Sequence, residues 1–161
     1  SCGVFIIKNE QDVAQINYSD SNVEVLIEEY IDGLELTSMC LEGKAYIVTE
    51  LRAKNQFYDY KSKYTGGMTE HILPAEIPDD VKNTCLDYAV KLHQVLGCNI
   101  ISRTDFRYNP QDGVVMLEIN TNPGMTSLSL VPEQAKYALG MSYAQLCDLL
   151  VRNAQCRHLK M

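Results

Sequence analysis

Two β-rich runs, 99–108 and 114–120, flank Asn109-Pro110-Gln111-Asp112-Gly113. A turn composition of that kind between two such runs predicts a hairpin, and hence an antiparallel sheet. Side chains two apart on a strand share a face, so Arg103 and Asp105 point together, as do Glu118 and Asn120. A four-residue loop over 110–113 pairs Asn109 with Val114; counting back then sets Asp105 opposite Glu118 and Arg103 opposite Asn120. All four polar groups meet on one face.

Carboxylates directly opposed on a sheet repel, with Cβ atoms only about 4.5–5.5 Å apart, so the arrangement calls for a cation between them. Magnesium suits hard oxygen ligands, takes few protein carboxylates and completes its shell with water and phosphate oxygens, and Asn120 can add an amide oxygen. Arg103 alongside suits phosphate recognition. The plainer alternative is a solvated strand face carrying an Arg–Glu pair. Register decides, because a one-residue slip sends Asp105 and Glu118 to opposite faces.

The hairpin leads into Asn120-Thr121-Asn122-Pro123-Gly124-Met125-Thr126-Ser127-Leu128-Ser129-Leu130-Val131-Pro132, a polar Pro-Gly-broken loop that opens a helix. Hydroxyls, backbone amides and a helix start favour an anion, although an ordinary strand-to-helix connection has the same composition. Upstream, Phe57-Tyr58-Asp59-Tyr60-Lys61-Ser62-Lys63-Tyr64 precedes Gly66-Gly67. Interleaved aromatic and basic residues ahead of two glycines suit a mobile lid over a ligand, or an edge strand blunted by lysines. Glu28, Glu29, Tyr30, Ile31 and Glu35 surround a glycine turn at Gly33.

Around these segments the chain reads as α+β. Strands are expected at 4–7, 23–30, 34–41 and 45–51, the last two joined by Glu42-Gly43-Lys44, making a meander. A short helix capped by Asn9 follows the first. Pro78-Asp79-Asp80 opens a long helix whose stripe of Val81, Cys85, Ala89, Leu92 and Leu96 stops at Gly97. Two further helices are expected, one from near Pro132-Glu133 to Gly140 and one from Ser142, with Gln145 completing a capping box.

At 161 residues the chain has room for one domain, and 46% hydrophobic with 22% charged residues excludes wholesale disorder. Acids outnumber bases 21 to 14, so a nucleic-acid partner would meet a repulsive field. The six cysteines show neither C-x-x-C spacing nor a histidine at metal spacing, which reads as reduced, mostly buried thiols in a cytosolic protein. No apolar run is long enough for a membrane span. Ser1-Cys2-Gly3-Val4 runs straight into an apolar stretch, and a fragment of a longer chain is expected.

Taken jointly, 28–35, FYDYKSKY, Arg103-Thr104-Asp105 and LEINTNPGMTSLSLVP resemble, in order and spacing over residues 1–152, the C-terminal half of the D-alanine–D-alanine ligases, ATP-grasp enzymes of cell-wall peptidoglycan synthesis. R-x-D and E-x-N alone would fit any ATP-grasp protein. The resemblance implies a mainly antiparallel sheet with flanking helices, the C-terminal ATP-grasp region of a longer ligase spanning residues 1–161. It implies that Asp105, Glu118 and Asn120 hold two magnesium or manganese ions against ATP. It places Glu28, Glu29, Tyr30, Ile31, Glu35, Phe57 and Leu117 around the nucleotide, with Val4 near the base. Lys63 would contact phosphate and Tyr64 would help close the lid. Arg103 and the Gly124 amide would stabilise an oxyanion, and Ser129 and Leu130 would bind the carboxylate of the second D-alanine.

The implied partners are ATP, D-alanine, the N-terminal part of the same enzyme and, at full length, a second copy; neither nucleic acid nor membrane is implied. With the family's first-substrate domain and the first half of its ATP-grasp region absent, this chain alone is expected to lack activity. A D-alanine–D-lactate ligase is the competing enzyme reading, disfavoured by Tyr64 where that branch usually carries histidine. A nucleotide- or metal-binding module without catalysis is the non-enzyme alternative.

Overall fold

Leu34–Leu41 (β1) reverses at Glu42 and Gly43, which take positive φ values of 50° and 75°, and returns as Lys44–Ala45 (β2). The returning strand breaks over 46–48 and resumes as Thr49–Ala53 (β3), so the single strand expected over 45–51 is two. The computed structural model describes residues 4–14, 16, 24–53 and 69–154, and FYDYKSKY, with Phe57, Lys63 and Tyr64, lies outside them. Thr69–Ile72 (β4) pairs with β3, and Ile101–Asn109 (β5) and Gly113–Asn120 (β6) form the hairpin. The sheet runs β4-β3-β1-β5-β6, antiparallel at each pairing, with β2 beside β1. The expected α+β architecture, antiparallel sheet with flanking helices, is what the chain adopts.

A short helix, Glu10–Ala14 (α1), starts after Asn9, whose Oδ1 accepts from the N–H groups of Gln11 and Asp12 at 2.9 and 3.2 Å. Asp79–Val95 (α2) begins after Pro78 and carries Val81, Cys85 and Ala89 onto Leu36, Val48 and Phe106. Those residues form one core, on one face of the sheet. Leu130–Leu139 (α3) opens earlier than expected, with Pro132 in its first turn, where a missing N–H costs nothing. Tyr143–Arg152 (α4) starts with the reciprocal Ser142–Gln145 capping box. Val131, Ala135 and Leu146 from these helices pack on Met39 and Leu41, forming the second core on the opposite face.

Two expected strands are absent among the described residues. Residues 4–7 and 24–32 have no ladder, and Val4, Phe5, Leu26 and Ile27 are exposed. Their composition favours extended backbone, but strand hydrogen bonds come from a neighbour, and among the described residues none lies alongside. The second segment joins β1 through Gly33, at φ 126°, where a Cβ would sit 2.2 Å from the Tyr108 carbonyl oxygen. Arg107 Nη1 and Asn109 Nδ2 donate to the Gly33 and Asp32 carbonyls, both at 2.9 Å.

The hairpin register differs from expectation at the turn and agrees with it at the far end. Asn109 pairs with Gly113, not Val114, because the loop has three residues, 110–112, followed by Gly113 at φ 71°. The Asn109 side chain closes that loop, its Oδ1 accepting from Gln111 and Asp112 N–H at 2.9 Å each. Carried on without interruption, this register would set Leu117 opposite Asp105 and turn Glu118 away. Between Phe106↔Met116 and Asp105↔Glu118 the ladder instead shifts by one, leaving Leu117 over as a β-bulge. Asp105 thus faces Glu118 and Arg103 faces Asn120.

Where β3 has left β1, a helix side chain takes its place. Gln134 of α3, fully buried, accepts from Met39 N–H at 2.7 Å and donates to the Thr37 carbonyl at 3.1 Å and to Thr49 Oγ1 at 2.8 Å. On the other face, buried His93 of α2 meets Ser102 Oγ through Nδ1 at 2.8 Å, and burial holds its pKa below the usual imidazole range. Burial pushes the Cys40 and Cys85 thiols up to about 11, and the described cysteines 40, 85, 98 and 147 are free thiols, as expected.

Three outcomes follow from these contacts. Gln134→Leu leaves the Met39 N–H and Thr37 carbonyl buried without their partner, a loss of about 1–3 kcal/mol measurable by urea unfolding. Deleting Leu117 closes the bulge and keeps Asp105 opposite Glu118, read from cross-strand backbone NOEs; a ladder that slips to set Ile119 there contradicts the register account. Because the unfolded chain binds a proton at His93 near pH 6.5 and the folded chain resists it, stability falls as pH drops from about 7 toward 5.5. His93→Gln flattens that part of the thermal-stability profile.

Candidate functional site

Odd-numbered residues of β1 and β5 share the sheet face on which α3 and α4 pack. Register pairs Glu35 with Arg107, Thr37 with Asp105 and Met39 with Arg103. The apolar residues Met39 and Leu41 lie under the helices, whereas Glu35, Thr37, Arg103, Asp105, Arg107 and, across the bulge, Glu118 and Asn120 form a charged patch beside them. One face therefore serves as core at one end and as a polar floor at the other.

Asp105 is the most heavily bonded member. Arg103 donates to it from two nitrogens, Nε to Oδ1 at 2.9 Å and Nη2 to Oδ2 at 2.7 Å, and Thr37 Oγ1 donates to Oδ1 at 2.6 Å. Arg103 and Asp105 side chains are each only 18% exposed, whereas Glu118 is 65% exposed with Oε1 4.0 Å from Arg103 Nη2. The Arg–Glu pair of the plainer alternative is present too, Arg103 lying within ion-pair distance of Glu118 while it holds Asp105 more closely, and its charge lies close enough to both acids to offset their repulsion. Arg107 forms an ion pair with Glu35, Nη2 to Oε2 at 3.4 Å.

Among the described residues no cluster of three or more His, Cys, Asp or Glu side chains is disposed to hold a metal ion. The candidate set is smaller, two carboxylates and one amide, all hard oxygen donors. Among the described residues three donors reach Asp105, against roughly four acceptor positions on a carboxylate. Asn120 Oδ1 accepts from Asn122 N–H at 3.0 Å and keeps a second lone pair. Such a set fits Mg²⁺, which binds through one or two carboxylates and completes its shell from water and phosphate.

The loop after β6 packs Met125 against the second core, on the same face of the sheet as these polar residues. Pro123 is buried and Gly124 exposed, and a Cβ on Gly124 would lie 3.2 Å from Ser129 Oγ. Ser129 occupies the N-cap position of α3 but makes no side-chain bond to the helix; its Oγ accepts from Thr126 N–H and meets Thr126 Oγ1, both at 2.9 Å. Leu130 is the first helical residue, at the end where backbone N–H groups have no intrahelical acceptor. Tyr143 of α4 donates its hydroxyl to the Met125 carbonyl at 2.8 Å, and His71 of β4 meets Glu133 in the first turn of α3 at 2.6 Å.

Not every expected residue joins this group. Glu28, Glu29 and Tyr30 are exposed on the unladdered segment, Ile31 is half-buried, and Leu117 stands at the bulge, 47% exposed. Thr37, Gln134 and Tyr143 were not singled out by sequence reasoning. For Gln134 there was a usable signal, a polar residue on the apolar stripe between Val131 and Ala135. No described helix is long and apolar enough to cross a membrane.

Comparison with known proteins agrees with the resemblance. Residues 1–152 match the family model described as D-ala D-ala ligase C-terminus. A D-alanine–D-alanine ligase of Wolbachia pipientis wMel is 46% identical over 157 residues, covering 96% of this chain and 50% of the relative. One from Novosphingobium aromaticivorans is 51% identical over 134 residues, 81% of this chain and 42% of the relative. The chain thus spans about half the length of the curated relatives it matches. Among solved structures, a Bacillus anthracis D-alanine–D-alanine ligase complexed with ATP superposes with a TM-score of 0.64 at 30% identity, covering 78% of this chain and 41% of that one. A D-Ala:D-Ser ligase from Enterococcus faecalis gives 0.60 at 32% identity, with 77% and 37% covered. With the family match running through both the hairpin and the loop that opens α3, the chain belongs to the D-ala D-ala ligase C-terminus family.

Proposed function

We propose that this chain is the C-terminal ATP-grasp region of a ligase that joins two D-alanines at the expense of ATP, with Mg²⁺ or Mn²⁺. One observation carries the reading: the bulged register that sets Asp105 opposite Glu118 and Arg103 opposite Asn120 on the face beside the α3 loop. Asp105, Glu118 and Asn120 would hold the divalent ions, whose chemistry is to neutralise phosphate charge. Glu28, Glu29, Tyr30, Ile31, Glu35 and Leu117 would line the nucleotide, together with Phe57; Lys63 and Tyr64 would approach from the segment between β3 and β4.

In the proposed reaction the carboxylate of the first D-alanine attacks the γ-phosphorus, breaking its bond to the ADP oxygen and forming an acyl phosphate. The amine of the second D-alanine then attacks the acyl carbon, loses a proton and expels inorganic phosphate, leaving the dipeptide. Positioning and charge stabilisation dominate such chemistry. Arg103, held by two bonds to Asp105, is pre-oriented beside the developing charge, and the Gly124 N–H would donate to the oxyanion. Ser129 Oγ and the Leu130 N–H, at the opening of α3, would take the carboxylate of the second amino acid.

Asp105→Asn in the complete ligase tests the assignment. The substitution keeps the shape and removes the charge, and dipeptide formation falls by at least about 100-fold in a phosphate-release assay while the far-UV circular dichroism is unchanged. Full retained turnover sinks the metal role. Product analysis with D-alanine, D-serine and D-lactate as competing acceptors identifies the second substrate.

A further inference from the structure

Thr37 is fully buried in the centre of β1, directly opposite Asp105 in the ladder. Its Oγ1 has two oxygens within reach, Asp105 Oδ1 at 2.6 Å and the Thr104 carbonyl at 3.3 Å. A hydroxyl has one proton to give, and the short contact to an acceptor-only carboxylate claims it. The Thr37 carbonyl receives Gln134 Nε2, so the residue that meets the carboxylate is itself clamped from α3.

These donations divide the two carboxylate oxygens. Oδ1 accepts from Thr37 Oγ1 and Arg103 Nε, filling its two lone pairs, whereas among the described residues the donor to Oδ2 is Arg103 Nη2. A carboxylate gripped by Arg103 only could rock about that fork, since both bonds come from one planar group. The hydroxyl, arriving from the neighbouring strand, supplies the second direction that fixes it.

We propose that Thr37 is a positioning residue: by donating to Oδ1 from the adjacent strand it fixes the Asp105 carboxylate and presents Oδ2, the oxygen with acceptor capacity left, to the divalent cation. The proposal rests on the reading of Asp105 as a metal ligand. Partners one shell out from a ligand tune metal affinity by about 10–100-fold.

The test uses the complete ligase carrying Thr37→Val, which keeps the shape and removes the donor, and Thr37→Ser, which keeps the donor. Mn²⁺ binding, followed by electron paramagnetic resonance with a non-hydrolysable ATP analogue, weakens about tenfold in the valine variant and returns to within about twofold of wild type in the serine variant. A crystal structure of the valine variant without metal shows the Asp105 carboxylate rotated. Should valine not fold, cysteine, a weaker donor of similar size, gives the same comparison. Unchanged Mn²⁺ affinity in a folded valine variant, or serine as impaired as valine, overturns the proposal, as does an unmoved carboxylate. Asp105→Asn with wild-type Mn²⁺ affinity instead overturns the metal reading, and the carboxylate's position in the valine structure still judges the positioning role by itself.

Discussion

Two acids on adjacent strands, one of them nearly enclosed, are held side by side by a single extra residue in β6. The three-residue loop at the hairpin tip sets one parity, and the bulge at Leu117 resets it before Glu118. Every polar group beyond that point, including Asn120, owes its face to the reset, because a strand offers only two faces and a shift of one exchanges them. The repulsion this creates is offset locally by Arg103, bonded to one acid and 4.0 Å from the other.

The face so loaded with charge is also a packing surface. Met39 and Leu41 sit under α3 and α4, while Thr37, two residues earlier on the same strand, already faces a carboxylate. Gln134 manages the boundary: it lies in the apolar stripe of α3, yet its amide satisfies strand groups left without a partner where β3 departs. A polar side chain in a core is tolerated when each of its groups is bonded, and such a residue then fixes one arrangement among several apolar ones. Here it seats α3, whose opening carries Ser129 and Leu130, on the strand that contacts Asp105.

How much of this was legible beforehand depended on whether the signal was local. The span of β1, the start of α2 after Pro78 and the Ser142–Gln145 capping box were readable because turn and cap chemistry acts within a few residues. The pairing of Asp105 with Glu118 was also reached, though through a four-residue loop; the structure reaches it through a shorter loop and a bulge, two departures that cancel. The runs 4–7 and 24–30 have strand composition without strand partners among the described residues, and β4, four residues with Glu70 and His71 at its centre, has the partner but too short and polar a run to announce it. Thr37 was hidden for another reason: Leu36–Leu41 is continuously buried, so alternation does not reveal which face a residue takes.

Gly33 carries an implication for how this polypeptide can vary. Its backbone passes so near Tyr108 that a methyl group would overlap the carbonyl, and its φ of 126° is one that side-chain-bearing residues rarely adopt. The entry into β1 and the tip of the β5–β6 hairpin are therefore joined at a crossing that admits no added atom. Drift at this position has no conservative direction, and the lead-in carrying Glu28 to Ile31 inherits a heading dictated by a hairpin more than seventy residues downstream, tied there by Arg107 and Asn109.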